Sequence, residues 1–179
     1  MNGVEADTAA SVAGRLRSDF DRSFAAAPTA AVADRIGFLA IRLGNDPYVI
    51  RLTETAGLFA DRRVTPLPSP APTMRGIAGI RGTIVPVHDL AGLLGYPLAA
   101  APRWLVIASE AQIAFGFEAF DGQILVDRAD IAIHAGTSSR QHASEIAEIG
   151  DGARPIVNLH SLIDALRRQL PPSAAIKEQ

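Results

Sequence analysis

The residues able to do chemistry are few. Histidines stand at 88, 134, 142 and 160, and imidazole is the side chain that titrates near neutral pH. His88 adjoins Asp89, and a histidine held by a carboxylate can act as a general base. Ser138, Ser139 and His142 lie together in GTSSRQHA (136–143), and His134 with His142 offers two ligand-type side chains for a metal. None of the four histidines belongs to an H-E-x-x-H helix. There is no Gly-x-Ser-x-Gly nucleophile elbow and no glycine loop built to cradle phosphate. Cysteine is absent, which excludes thiolate catalysis, disulfides and cysteine-based zinc sites. A hydrolase using His88 and Asp89, or a metal centre at His134 and His142, thus rests on proximity alone. What is distinctive is the alternation of cations and glycines in RGIAGIRGTIVPVHDLAGLL (75–94). Arg75-Gly76 and Arg81-Gly82 each set a guanidinium beside a residue that permits a turn or a close backbone approach. A guanidinium fixed by its backbone is preorganised to hold a partner.

These residues are carried by a chain of 179, long enough for one domain or two small fused ones. Apolar residues make up 48%, enough for a packed core. The 15 glycines and 12 prolines favour turns over long helices. Net charge is −2 with the two signs interspersed. That pattern makes neither a basic stripe for nucleic acid nor a polybasic membrane patch. The N-terminus has early acidic residues and no continuous apolar stretch, unlike a secretory signal. No run approaches the ~20 apolar residues of a spanning helix. The expectation is a soluble cytoplasmic protein without a cofactor.

Residues 1–33 read as a helical extension, because Val12, Leu16, Phe20 and Phe24 recur every four residues among charges. Such a helix packs on its own domain or binds a partner; the pattern allows both. From Phe38 the period changes to two. FLAIRL (38–43) and YVIRL (48–52) flank the turn-rich GNDP and read as a hairpin. A short helical piece is expected over Thr53–Ala60, then an extended, proline-rich connection over 64–72. RWLVIAS (103–109) with QIAFGF (112–117) reads as a second hairpin, and QILVD (123–127) and DIAIH (130–134) as further strands. GTSSRQHA reads as a loop. SLIDALRRQL (161–170) reads as a helix with basic residues in its last turn, stopped by Pro171-Pro172.

The segment 75–94 recurs without a gap as SEIAEIGDGARPIVNLHSLI (144–163), an offset of 69 residues. Ile77/Ile146, Ala78/Ala147, Ile80/Ile149, Pro86/Pro155, Leu90/Leu159 and Leu93/Leu162 are identical, and Val87/Ile156, Asp89/Asn158 and Leu94/Ile163 are conservative. Ile77, Ile80, Ile84, Val85 and Val87 are expected mostly in the core. Asp89 and Asn158 each precede a Leu-x-x-Leu/Ile stripe, so both are expected as helix caps. A cap tolerates Asp-to-Asn exchange, whereas a catalytic carboxylate generally does not. His88, opposite Val157 in the repeat, becomes a strand residue. The Arg-Gly steps do not repeat.

RGIAGIRGTIVPVHDL resembles the signature of CheW-like domains, the chemotaxis coupling proteins. Arg75, Gly76, Arg81, Gly82, Pro86, Asp89 and Leu90 match it as they stand. The hairpin at 38–52, TPLPSPAP and the closing PIVNLHSLI follow in family order, so the likeness covers about residues 36–168. Gly79 stands where the family has Asn, FGFEAFDG (115–122) blurs a family pattern, and Glu145 replaces a small residue. The resemblance implies an all-β fold of two SH3-like five-stranded barrels with a hydrophobic groove between them. The domain would span 34–170, between the N-terminal helix and a tail at 171–179. It further implies a non-enzymatic scaffold bridging a chemoreceptor's cytoplasmic tip and the regulatory domain of a CheA-type histidine kinase, at receptor arrays on the inner membrane face. Modest interfaces of this kind are summed by multivalency. Partner binding falls to Arg81, and with it to Arg75, Gly76 and Ile80. Two other readings stay open: an auxiliary member binding one partner only, and a β-barrel that binds a small ligand or hydrolyses one.

Overall fold

The computed structural model describes residues 34–98, 101–133, 142–150 and 152–169. The expected N-terminal helix, most of GTSSRQHA and the 171–179 tail lie outside them. A compact unit begins at Ile36. It holds strands β1 (Arg35–Leu43), β2 (Asp46–Arg51), β3 (Thr55–Ala60), β4 (Val64–Thr65), β5 (Met74–Ile80) and β6 (Thr83–Asp89), then helix α1 (Leu90–Leu93). Strands β7 (Trp104–Ala108), β8 (Ala114–Phe117), β9 (Ala119–Asp127), β10 (Ile131–Ile133), β11 (Glu145–Ile149) and β12 (Gly152–Val157) follow, and helix α2 (Leu159–Gln169) ends the described chain.

Two six-stranded sheets result. One has the order β3-β7-β8-β6-β5-β4, the other β10-β11-β12-β2-β1-β9. The middle of the chain builds the first sheet, and both ends of the domain build the second. The apolar runs explain the layering. A strand covered on both faces reads as a continuous hydrophobic run, not an alternating one. In β1 and β2, Phe38 and Val49 face their own sheet's core with Val126, Ala147 and Ile156. Leu39, Ile41, Tyr48 and Ile50 face the other way, into a larger cluster shared with Val106, Phe115 and Phe117 of the opposite sheet. Leu90, Leu94, Leu159, Leu162 and Leu166 of the two helical segments fill the space between. Burying each such side chain is worth roughly 1.5–3 kcal/mol, so the two sheets form one energetic unit.

The internal repeat is visible as backbone. In the β5–β6 ladder, Ile77 pairs with Pro86 and Ile80 with Thr83. In β11–β12, Ile146 pairs with Pro155 and Ile149 with Gly152. The 69-residue offset carries every one of these pairs onto its counterpart. It also carries the Asp89 N–H to Thr73 carbonyl bond onto the Asn158 N–H to His142 carbonyl bond. Both second strands then pair in parallel with a hairpin strand, β6 with β8 and β12 with β2.

The structure departs from expectation in four places. Thr53–Ala60 is no helix: one 3-10 turn at Leu52–Glu54 runs into β3. Thr55, Gly57 and Phe59 have poor helix propensity, and β7 supplies a partner strand. Each sheet has six strands, not five, because two-residue β4 and three-residue β10 add edges. The groove between the sheets is largely filled by the shared core; a depression of ≈ 250 Å³ remains at one end, beside Leu43, Tyr96, Leu98 and Phe117. Ile84, expected in the core, is 69% exposed, since it points outward opposite Gly79. No helix among the described residues is long and apolar enough to cross a membrane.

Candidate partner-binding site

The β5–β6 hairpin closes on two residues, Arg81 and Gly82, with φ of +51° and +80°. Positive φ at both central positions is the type I′ pattern, whose twist matches that of the flanking strands. Asn-Gly or Gly-Gly serve such a turn without strain. An arginine in the left-handed region costs about 1 kcal/mol. Strain of this kind at an exposed tip points to a side chain kept for its own sake.

That side chain lies over the Phe59 ring, with its guanidinium carbon 5.2 Å from the centroid. A terminal nitrogen also comes within 3.7 Å of where Gly57 would carry a Cβ. Gly57 and Phe59 share one face of β3 by the period of two, so the glycine leaves room for the cation beside the ring. Asp61 is the other non-glycine residue with positive φ among the described residues, at +52°. It ends β3, donates its N–H to the Arg103 carbonyl at 2.8 Å and turns the chain. Arg62 then reaches the same ring, at 5.6 Å. The Asp61 carboxylate faces Arg103 Nε at 3.3 Å. Beside this cluster, Ile80, Val85, Ile107 and Ala56 line an open depression of ≈ 150 Å³.

Arg75 and Gly76 occupy different ground from Arg81. Arg75 Nε lies 3.9 Å from Asp89 Oδ2, and Asp89 is wholly buried. The other Asp89 oxygen, Oδ1, accepts the Gly92 N–H at 2.8 Å as N-cap of α1. Gly76 is buried with φ +135°, and a Cβ there would sit 2.0 Å from the Thr65 carbonyl oxygen. Its place is therefore in the scaffold, where β4 pairs with β5. Ile80 is nearly buried and lends only one wall to the depression.

Asn158 Oδ1 accepts the Ser161 N–H at 2.8 Å in the first turn of α2. The same helix start holds two groups that spacing could not place. Glu54, buried in the turn between the sheets, accepts the Leu159 N–H at 2.7 Å. Arg51 stands 3.8 Å from Glu54 and 2.8 Å from Glu145, so the unusual Glu145 closes an ion cluster. Burial pushes the Glu54 carboxyl above its ordinary range, against the Leu159 N–H and Arg51, which pull it down.

The catalytic candidates do not assemble. His88 and Asp89 are successive strand residues and point to opposite faces. His88 is buried, its Nδ1 has no hydrogen-bond partner, and burial lowers its pKa. His142 is also buried and meets Ser161 Oγ through Nδ1 at 2.8 Å; burial, then the Arg168 charge, lowers its pKa. His160 pairs with Glu110 near the surface. His134, Ser138 and Ser139 lie outside the described residues. Sequence reasoning missed Phe59 and Arg62. The available signal was an aromatic at i+2 from a glycine, followed by Asp-Arg-Arg at 61–63.

The family model of the CheW-like domain matches residues 37–167. The chain therefore belongs to the CheW-like domain family. It is 35% identical to Protein PilI of Pseudomonas aeruginosa over 75 residues, 40% of this chain and 40% of PilI. The match thus spans well under half the length of that relative. The crystal structure of the scaffolding protein TtCheW from Thermoanaerobacter tengcongensis shares the fold. Its TM-score is 0.64 at 20% identity, over 71% of this chain and 91% of that one.

Proposed function

We propose that this CheW-like protein is a non-enzymatic coupling scaffold, joining a chemoreceptor's cytoplasmic tip to the regulatory domain of a CheA-type histidine kinase in the cytoplasm. Its contact site is the Arg81 turn. The observation that carries this is a strained arginine at an exposed hairpin tip, at a position where the second repeat, with the same ladder pairs, has Gly150. Turn chemistry favours another residue there, so selection for a contact explains the arginine. Exposed Ile84, beside side-chain-free Gly79, adds apolar surface next to the turn. Packing between the sheets gives the scaffold one rigid body on which such a contact is presented.

The test is a titration of the full chain against the kinase regulatory domain and, separately, the receptor tip of the same organism. Binding of both at about tens of micromolar is expected, weakened by Arg81→Glu with the fold intact. Retention of neither sinks the proposal. The turn's occurrence in one repeat favours a second reading, in which only one of the two partners is held, and the separate titrations decide between them.

A further inference from the structure

The Phe59 ring carries more than the single cation that the coupling role needs. Arg62 and Arg81 come from segments on either side of β4 and β5, yet both guanidiniums lie within 5.6 Å of one ring centroid. The two non-glycine residues with positive φ among the described residues are the ones that deliver them. Asp61 turns the chain to bring in Arg62, and Arg81 holds its own conformation. Among the described residues neither guanidinium meets a carboxylate. The nearby Asp61 carboxylate faces Arg103 instead, and exposed Arg63 adds a further cation beside it. A chain of net charge −2 thus concentrates positive charge at one aromatic ring. Two like charges near a shared ring repel, and a carboxylate drawn to either one offsets that repulsion. A guanidinium's planar fork also suits a carboxylate geometrically. Next to the ring, the open depression is walled in part by Ile80, Val85 and Ile107, with Thr83 and Gln112 also on its lining, and has room for one branched side chain.

We propose that Arg62, Arg81 and Phe59 form a carboxylate clamp beside an aliphatic pocket, and that its occupant is an acidic segment of a protein partner in which a Leu- or Ile-type residue neighbours Glu or Asp. This rests on the reading of Arg81 as a contact residue and specifies what it contacts. Arg62 becomes a specificity determinant. Phe59 is the platform that both guanidiniums share.

The probe is the peptide acetyl-Glu-Leu-Glu-amide, titrated into the isotope-labelled full chain, with acetyl-Gln-Leu-Gln-amide as control. Arginine Nε–Hε and methyl resonances are followed by NMR. The expected result is saturable shifts at Arg62, Arg81 and the Ile80, Val85 and Ile107 methyls, with the Gln peptide at least about tenfold weaker. Raising salt from about 50 to 300 mM should weaken the acidic peptide alone. Arg62→Gln and Arg81→Asn should each abolish the discrimination, and neither change removes a buried group. Equal binding of both peptides, shifts elsewhere, or an unchanged Arg62→Gln variant overturns the proposal. The readout needs neither kinase nor receptor. If the peptide discriminates but no protein partner binds, the clamp stands and the coupling role falls. If partners bind and the peptide does not discriminate, the reverse holds.

Discussion

Replacing Arg81 with Asn should separate stability from binding. In the wild type the turn imposes φ of +51° on an arginine, which costs about 1 kcal/mol. Asn enters the left-handed region far more readily, and Asn-Gly is the preferred type I′ pair. Against that gain stands the lost cation–π contact with Phe59, worth about 0.5–1 kcal/mol at an exposed position. The two nearly cancel, so folding stability should rise by between zero and about 0.5 kcal/mol. For a domain of this size that is a Tm increase of at most about 2 °C. Binding should move the other way, by about tenfold or more, as expected for an arginine central to an interface. Circular dichroism melts and calorimetric titration against the kinase regulatory domain read the two effects on one preparation. Arg81→Lys keeps the charge and the strain but loses the flat stacking, so it should neither stabilise nor restore full affinity. A Tm drop of more than about 4 °C in Arg81→Asn would show that the arginine serves the fold. Affinity within about twofold of wild type would remove Arg81 from the contact surface.

Glu54→Ala leaves the Leu159 N–H buried without its 2.7 Å acceptor and should cost about 2–4 kcal/mol in urea unfolding; Glu54→Gln keeps an acceptor and should cost about 1 kcal/mol, so equal losses would contradict the helix-start role. Gly76→Ala forces a Cβ to 2.0 Å from the Thr65 carbonyl; a loss of more than about 3 kcal/mol is expected, and a near-neutral result would mean that β4 can move aside. His88 and His142 both have lowered native pKa values. The unfolded chain therefore takes up protons first as pH falls below about 6.5, and stability, complete above that pH, declines towards the lowered native values. Glu54, raised by burial, contributes a slope of the opposite sign between its raised native value and its ordinary value of 4.5. His88→Leu should flatten the decline below pH 6.5 and, by removing an unpartnered Nδ1, stabilise the protein by about 1 kcal/mol at pH 7; a profile parallel to wild type contradicts that assignment.

The layered fold was legible where local pattern and tertiary partner agree. FLAIRL, YVIRL and RWLVIAS are apolar runs, and their central residues became strands buried on both faces. The repeat was legible because its shared residues are those that packing and capping demand. Thr53–Ala60 misled because its residues carry little preference of their own, and β7 decides their state. Ile84 misled because one face of the β5–β6 hairpin stays open, which no alternation within the segment reveals. Arg81 could be named from its motif, but not its ring. Phe59 and Arg62 meet it only in the folded sheet, where β7 and β8 separate β3 from the hairpin in the strand order. Glu54 escaped for the same reason: its acceptor role depends on a helix start far along the chain.

The interleaved strand order also dictates when each half of the molecule can exist. Strands β3 to β8 are contiguous in sequence, so the sheet with the Arg81 turn can close while the rest of the chain is still being synthesised. The other sheet cannot, because β2 waits for β12, its parallel neighbour from the far end of the domain. Until then the inner face of the first hairpin, Leu39, Ile41, Tyr48 and Ile50, lacks half its cover. Long-range pairing of this kind is slow, and the waiting species exposes a strand edge and an apolar face. Pulse-labelled hydrogen exchange should find β5–β8 amides protected before those of β1 and β2. The nascent protein thus acquires the sheet that carries the Arg81 turn first and its resistance to aggregation last.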